Sequence, residues 1–392
     1  MAAGLSSALL APRSGLIVPD PVAAEELWSA QEIGRARRYG LGQMALGAAG
    51  GLLQGGVLLA LARRPPAALL RAQRAPLAAT ALTAAGLAAV DTVVGLPTAA
   101  LTRRRALRVG LATQSWRGWA GDTAKATAIG AGLAALAAPA TVGLMRRRGD
   151  RWWLPGAVGA VGAGAALSFL APVALDPLFN RFTPLPAGEL REQVLDLARR
   201  AGVRVREVYE SDASRRTTAA NAYVAGYGAS RRIVLWDTLL REFSPAEARL
   251  VVAHELAHVR HRDVQNRLVA LAAMAPVAAR AVARVTGALD RSPEPGPATV
   301  APLALAAGVV GALMGPPGSA LSRRVESRAD AFALALTDEP EPFVSFEQRI
   351  VRQNLADPDP PRLLVRLFGT HPPAVERIGV ARAYARGVRA GY

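Results

Sequence analysis

The feature that most constrains the fold of this chain is a series of apolar stretches, each about as long as the apolar core of a bilayer is thick. Four of them precede residue 176: Leu41–Ala62, Ala75–Thr102, Ala126–Met145 and Leu154–Leu175. Arginine pairs or triplets close the first three, and Trp152-Trp153 opens the fourth. Arginine and tryptophan are both favoured where a helix leaves the bilayer. The first part of the chain is therefore predicted to contain four transmembrane helices.

Two later stretches raise the prediction to six spans. Ala298–Gly315 is long enough to cross a bilayer. Leu268–Ala279 is short, and it crosses only if its helix continues through Arg280 and Arg284. After the sixth stretch, Pro316-Pro317 predicts that the helix ends and the chain leaves the membrane.

Composition agrees with a membrane protein. Hydrophobic residues make up 51% of the chain and aromatic residues only 5%, which suits closely packed transmembrane helices. The net charge of +17 comes from arginines beside apolar segments, so lipid headgroups are the expected partner. Nucleic-acid binding is not expected, because no basic stretch carries interleaved aromatics. The first 20 residues do not resemble a cleaved signal peptide.

Soluble segments lie before the fifth span and after the sixth. Between Asp176 and His261 the spacing predicts one helix and three strands, at Leu190–Ala201, Arg204–Tyr209, Asn221–Tyr227 and Arg232–Trp236. Later helices are predicted at Arg323–Thr337 and from about Pro373. The expected fold is a mostly α membrane protein with about six transmembrane helices and an α+β domain that has a small β-sheet. The expected regions are 1–175 with four spans, 176–262 with the first soluble part, 263–318 with two more spans, and 319–392 with the second soluble part.

One soluble helix carries a metal-binding pattern. Ser244, Pro245 and Glu247 form a capping box with proline at the first helical position, so a helix begins there. His254 and His258 follow in the pattern H-E-x-x-H, four residues apart on one face, where two imidazoles can bind one Zn²⁺. Glu255 lies beside them and can accept a proton from water. The chain has no cysteine, so histidines and carboxylates must supply every metal ligand.

A catalytic zinc takes three protein ligands and one water. Of the remaining histidines, His261 points away from the His254 face, and His371 precedes two prolines. The best carboxylates are Glu326 and Asp330, which are four residues apart on one face of a predicted helix. One of them can bind the metal while the other accepts the free N–H of a ligating histidine.

These motifs resemble the CAAX prenyl protease 1 family of integral-membrane zinc endopeptidases. The likeness covers about residues 30 to 385. Besides H-E-x-x-H and E-x-x-x-D, it is carried by segments Asp176–Pro186, Asn221–Tyr223, Arg232–Leu239, Arg324–Phe332 and Thr370–Pro373. The resemblance implies a zinc-metalloprotease domain with one Zn²⁺ per chain.

The resemblance also implies a role for each site residue. His254, His258 and Glu326 would bind zinc, and Glu255 would be the general base. Asp330 would orient a ligand, His371 would bind the developing oxyanion, and Arg377 would form a salt bridge in the site. The substrate would pair as an extended strand along Asn221, Ala222, Tyr223 and Val224.

The chain also departs from the family. Ala257 replaces a common glycine, and an additional first transmembrane helix of the eukaryotic members is not expected here. The family's intramembrane chamber is implied only by the resemblance. Asp91 within the second span agrees with a polar interior, because intramembrane carboxylates usually face a cavity or a partner.

The chain is predicted to be a multi-pass membrane protein that hydrolyses peptide bonds with the help of zinc. Its expected substrates are peptides or proteins, including lipidated or membrane-bound ones. The expected setting is a bacterial cell membrane with the catalytic site toward the cytoplasm. Two alternatives remain: a quality-control metalloprotease for membrane proteins, and a zinc-binding membrane sensor without turnover. An intact Glu255 disfavours the sensor, because a structural zinc site needs no base.

Overall fold

The computed structural model describes residues 11–72 and 76–390. Ala75, where the second apolar stretch was predicted to begin, and the first ten residues lie outside this part of the chain. Five helices precede the sheet: α1 (Ala30–Arg63), α2 (Ala67–Arg71), α3 (Pro76–Arg108), α4 (Trp116–Arg148) and α5 (Trp153–Leu170). The soluble elements that follow are β1 (Phe182–Pro184), α6 (Glu189–Arg200), β2 (Glu207–Ser211), β3 (Ala222–Ala225), β4 (Arg232–Trp236) and α7 (Asp237–Glu242). The remaining helices are α8 (Pro245–Arg260), α9 (Asp263–Leu289), α10 (Val300–Thr337), α11 (Pro340–Asn354), α12 (Arg362–Phe368) and α13 (Ala374–Ala385).

Six helical segments among the described residues are long and apolar enough to cross a membrane, as the sequence predicted. They contain α1, α3, α4, α5, α9 and α10. Their surfaces expose large apolar side chains, such as Leu52 at 77% and Leu313 at 71% exposure. A water-soluble protein would bury such side chains, so these faces are suited to lipid.

The fifth span, which the short stretch Leu268–Ala279 suggested, is part of a long helix. Helix α9 has 27 residues in all and continues past Arg280, so it is long enough to cross the bilayer core. The guanidinium of Arg280 lies over the ring of Trp153, 5.5 Å from its centroid. Because tryptophan favours the membrane interface, this contact suits a position of Arg280 near the edge of the bilayer core.

The sixth span differs from the prediction. The sequence suggested that the helix ends at Pro316-Pro317, but α10 is one helix of 38 residues that contains both prolines. A proline in a helix removes a hydrogen bond and crowds the preceding turn. The helix nevertheless continues through both prolines, which Gly315 and Gly318 flank. One continuous helix therefore joins the membrane span to the soluble domain.

The interior of the helix bundle is polar in part. Gln54 Nε2 of α1 donates a hydrogen bond of 2.9 Å to Asp91 Oδ2 of α3, so the predicted intramembrane carboxylate has a partner. Asp91 also lines a cavity of about 350 Å³ between α1, α3, α4 and α10. Small residues let these helices approach closely: a Cβ added to Gly50 would lie 2.7 Å from the hydroxyl of Thr98.

The soluble domain contains a four-stranded mixed sheet in the order β1-β2-β4-β3. β2 and β4 are parallel, and the outer pairs are antiparallel. The strand predicted at Arg204–Tyr209 lies three residues later, because β2 begins at Glu207 where its pairing with Arg232 of β4 begins. Val208, Ile233 and Leu235 of the two central strands are fully buried. β3 is an edge strand, so one of its sides has no strand partner.

Candidate active site

Helix α8 positions the H-E-x-x-H motif. Ser244 caps it as predicted: its N–H donates to Glu247 Oε2 at 2.8 Å, and its hydroxyl accepts from Glu247 N at 3.3 Å. Val252 and Leu256 are fully buried and pack into the same core as the sheet. Because His254 and His258 are on the other side of the helix from this apolar face, burial of the face directs both imidazoles away from the sheet core.

A buried carboxylate and a partly buried arginine orient His254. Its Nδ1 lies 2.9 Å from Asp330 Oδ1, and Arg377 donates two hydrogen bonds to the same carboxylate at 2.8 and 2.6 Å. Arg377 Nη1 also lies 2.6 Å from Glu347 Oε1, in an ion pair without hydrogen-bond alignment. Burial alone would lower the pKa of Arg377, but the neighbouring carboxylates raise it. Both residues that the sequence suggested as supports, Asp330 and Arg377, thus lie behind His254.

His258 has a second support of the same kind, which the sequence reasoning missed. Its Nδ1 lies 2.9 Å from Asp263 Oδ2, and Arg328 donates to Asp263 Oδ1 at 2.5 Å. Arg262 has a φ of 57°, and this left-handed residue reverses the chain so that Asp263 returns to the histidine. An acidic residue three positions after the end of the motif helix was the available signal.

The two supported imidazoles and Glu326 converge on one point. An ionised carboxylate only accepts hydrogen bonds, so each Nδ1 donates its hydrogen and each Nε2 is left to bind a cation. The Nε2 atoms of His254 and His258 lie 3.3 Å apart, and Glu326 Oε2 lies 3.0 and 3.7 Å from them. Tetrahedral ligands about 2.0–2.1 Å from a zinc ion are roughly 3.3–3.4 Å apart. The three atoms therefore fit a tetrahedral metal site.

Electrostatics favour a cation at the same point. Burial lowers the pKa of His254, but its hydrogen bonds to Asp330 and Glu326 outweigh burial and raise the pKa to about 10. His254 Nε2 therefore attracts a proton or, in its place, a metal ion. His254, Glu255 and His258 also offer ligand atoms within 4.8 Å of one another. Glu326 is the better third ligand, because its oxygen is 3.0 Å from His254 Nε2.

Glu255 and His371 flank this point. Glu255 lines the cleft above the motif helix, and burial raises its pKa, which suits a carboxylate that must accept a proton. His371 Nε2 lies 3.2 Å from Glu326 Oε2, and its side chain is 58% exposed. His261 is directed elsewhere, as expected, and packs edge-on against Phe332 with ring centroids 5.5 Å apart.

The predicted substrate strand forms one wall of the cleft, which has a volume of about 560 Å³. The carbonyl of Asn221 accepts from Trp236 N of β4 at 3.0 Å. Backbone groups alternate in an antiparallel pair, so Tyr223 also faces β4, whereas Ala222 and Val224 are directed to the free edge. Val224 presents its N–H and C=O there, and Ala222 presents its C=O while its N–H donates to Asn221 Oδ1 at 2.9 Å. Four residues line the cleft together with Glu255, His258 and Glu326: Asn221, Ala222, Tyr223 and Val224.

Comparison with known proteins agrees with this geometry. Residues 184–385 match the model of peptidase family M48, and residues 18–181 match the model described as CAAX prenyl protease N-terminal, five membrane helices. The chain belongs to peptidase family M48. Its M48 site, apolar helices and small sheet make it a membrane-embedded metalloendopeptidase.

Three relatives show how far the likeness to M48 proteins extends. An uncharacterized metalloprotease of Bacillus subtilis is 32% identical over 301 residues, which are 74% of this chain and 70% of that protein. CAAX prenyl protease 1 of Saccharomyces cerevisiae is 39% identical over 101 residues, 26% of this chain and 22% of that protein. The crystal structure of S. mikatae Ste24p superposes with a TM-score of 0.77 at 20% identity, over 97% of this chain and 96% of that one. The Ste24p comparison confirms the predicted fold.

Proposed function

We propose that this M48 protein hydrolyses peptide bonds with one zinc ion held by His254, His258 and Glu326. The observation that carries the proposal is the convergence of two Nε2 atoms and one carboxylate oxygen within 3.0–3.7 Å of one another. Zinc at such a site lowers the pKa of a bound water to about 7 and polarises the scissile carbonyl. Regions 176–262 and 319–392 would together form the catalytic domain, since both supply ligands.

The protein's own residues perform the proton transfers and hold the reactants. Glu255 accepts the proton of the attacking water and delivers it to the leaving amine. His371 donates a hydrogen bond to the carbonyl oxygen as negative charge develops there. Asp330, backed by Arg377, fixes the ring of His254 and is a positioning residue.

The substrate binds as an extended strand against β3. The carbonyl of Ala222 and the N–H and carbonyl of Val224 supply backbone hydrogen bonds that do not depend on side-chain identity. The likeness to CAAX prenyl protease 1 favours lipidated C-terminal peptides, while sequence-independent backbone pairing also suits unmodified segments of membrane proteins. A non-catalytic sensor is disfavoured, because Glu255 lines the cleft beside the ligands.

Peptide cleavage by the zinc-loaded, detergent-purified protein tests the proposal. The substrates are prenylated and unprenylated versions of one peptide, compared for the wild type and Glu255→Gln. We expect Glu255→Gln to keep zinc and to lose about 10²–10⁴-fold in kcat/KM. Glu341→Gln, the same chemical change at an exposed position, should keep wild-type activity. Unchanged cleavage by Glu255→Gln, or no cleavage of either peptide by the wild type, would exclude the proposed reaction.

We also propose that the catalytic domain faces the cytoplasm of a bacterial cell. This orientation rests on the resemblance to the CAAX prenyl proteases, because arginines flank the spans on both sides. The absence of cysteine allows a clean test. A single cysteine at Glu341, on the soluble domain, should resist a membrane-impermeant maleimide in intact cells, and one at Arg148 should react. The reverse pattern would mean an outward-facing site.

A further inference from the structure

Arg267, on the wall of the cleft, has no carboxylate of the described residues within hydrogen-bond distance. Arg267 lies one turn after Asp263 on α9 and lines the cleft with His258 and Glu326. Its side chain is 55% exposed. The guanidinium is therefore accessible to a molecule in the cleft.

Two other arginines at the metal centre, Arg377 and Arg328, are paired with carboxylates. Arg377 is held by two carboxylates, and Arg328 donates to Asp263 at 2.5 Å. In contrast, the nearest carboxylate oxygen to Arg267 is Glu326 Oε1 at 3.7 Å, beyond hydrogen-bond distance. Its one hydrogen bond goes to the hydroxyl of Ser322 at 3.5 Å. A guanidinium carries five N–H donors, so most donors of Arg267 have no acceptor among the residues that the structure describes.

A role for Arg267 in holding the metal is electrostatically unfavourable. A guanidinium close to a divalent cation repels it, and the repulsion is strong in a partly desolvated site. Both histidines already have their own carboxylate and arginine supports through Asp330 and Asp263. The position is instead suited to an anion that enters the cleft with the substrate, because a planar guanidinium binds a carboxylate through two parallel hydrogen bonds.

We propose that Arg267 is a specificity-determining residue that binds a carboxylate of the peptide substrate close to the scissile bond. The carboxylate is either an acidic side chain or the free C-terminus of a short leaving peptide. This inference rests on the proposed peptidase function. It predicts that the enzyme prefers a substrate with a negative charge at one defined position.

Matched peptides test the preference. One series places aspartate or asparagine at each of the three positions on either side of the scissile bond. The second series has a free or an amidated C-terminus one to three residues after the bond. We expect the wild type to prefer one carboxylate peptide over its amide by about ten- to hundred-fold in kcat/KM. The series that shows the preference identifies the source of the carboxylate.

Variants assign the preference to Arg267. In Arg267→Gln the two peptides should be cleaved within about two-fold of each other, with the amide peptide cleaved as by wild type and zinc retained. Arg267→Lys should keep part of the preference, since lysine retains the charge but not the planar fork. Arg260→Gln removes the same charge from an exposed position outside the cleft and should keep the full preference.

Three results would overturn the inference. The first is a wild type that cleaves every matched pair equally, which leaves the peptidase function intact. The second is an undiminished preference in Arg267→Gln. The third is loss of zinc from Arg267→Gln at an unchanged melting temperature, which would make Arg267 a support for Glu326. A zinc-loaded wild type that cleaves no peptide removes the proposed function, and this inference with it.

Discussion

Replacing Asp263 with asparagine should weaken metal binding, because Asp263 orients the imidazole of His258. Asp263 is only 3% exposed and accepts from two donors, the Nδ1 of His258 and the guanidinium of Arg328. The asparagine amide has one oxygen to accept with, and its NH₂ group would face the other donor. One of the two hydrogen bonds must therefore be lost.

The expected size of the effect follows from these contacts. Loss of a carboxylate that orients a ligating histidine typically lowers metal affinity 10- to 100-fold, or about 1.4–2.7 kcal/mol. Removing one partner of a fully buried ion pair costs about 3–5 kcal/mol of unfolding free energy. The side chain of Arg328 is 16% exposed and keeps some hydration, so we expect about 2–3 kcal/mol for Asp263→Asn.

Zinc affinity and thermal unfolding are the measurements. Affinity is measured by competition with a fluorescent chelator, and unfolding is followed with excess zinc and with excess chelator. Asp196→Asn is the control, because Asp196 pairs with Arg199 on the surface, with the two side chains 49% and 71% exposed. Such a pair contributes at most about 1 kcal/mol, and Asp196→Asn should leave zinc affinity unchanged.

The comparison with Asp330→Asn completes the test. Asp330 supports His254 with the same donors, an imidazole and an arginine. We therefore expect both substitutions to weaken zinc binding in the same direction. A zinc affinity of Asp263→Asn within two-fold of wild type would refute the argument that Asp263 orients a ligand.

Further predictions concern the core, a buried titrating group and the turn between β3 and β4. Leu256→Ala, on the fully buried back of the motif helix, should cost about 2–5 kcal/mol of unfolding free energy, whereas the lipid-facing Leu313→Ala should cost far less in thermal unfolding. Burial raises the pKa of Glu347 from its ordinary 4.5 to about 7, because it outweighs the opposite effect of Arg377, which lies 2.6 Å away; ionisation of Glu347 therefore costs stability even with the ion pair. The stabilising contribution of protonated Glu347 should be fully present below about pH 4.5 and be lost as pH rises through about 7, by up to about 3 kcal/mol. Melting temperatures measured across this pH range should show a flatter dependence for Glu347→Gln than for the wild type. An equally steep fall in the variant would contradict this prediction. Gly226, in the turn between β3 and β4, lines the cleft with a φ of +87°, and a Cβ there would lie 2.6 Å from a backbone carbonyl. Gly226→Ala should therefore shift this turn and raise KM, whereas Gly228→Ala, with φ +57° and open space, should cost only about 1–2 kcal/mol of unfolding free energy. Equal KM values for the two variants would exclude a role of this turn in shaping the cleft.

Local spacing accounts for what the sequence predicted correctly. The six spans follow from stretch length and flanking charges, and the start of the motif helix follows from Ser244 and Glu247, which are three residues apart. His254 and His258 share a face because they are four residues apart in a helix. Each of these features depends on neighbours within one or two helical turns, so composition and periodicity are sufficient to find them.

Family resemblance supplied the contacts that spacing could not. Spacing alone left open whether Glu326 or Asp330 was the ligand, and the resemblance assigned Glu326. The structure places Glu326 Oε2 3.0 Å from His254 Nε2 and Asp330 on the opposite ring nitrogen. Residues this far apart in the chain meet only through helix packing, which no short sequence period encodes.

The tertiary structure alone decided the supports of His258, the continuity of α10 and the free edge of β3. Asp263 meets His258 because Arg262 adopts a left-handed conformation, and Arg328 meets Asp263 because α10 packs against α9. Helix α10 continues through Pro316 and Pro317, although proline in isolation predicts a helix end. The H-E-x-x-H motif could thus be found from the sequence alone. The support of His258 and the shape of the cleft depend on packing between elements that are distant in the chain.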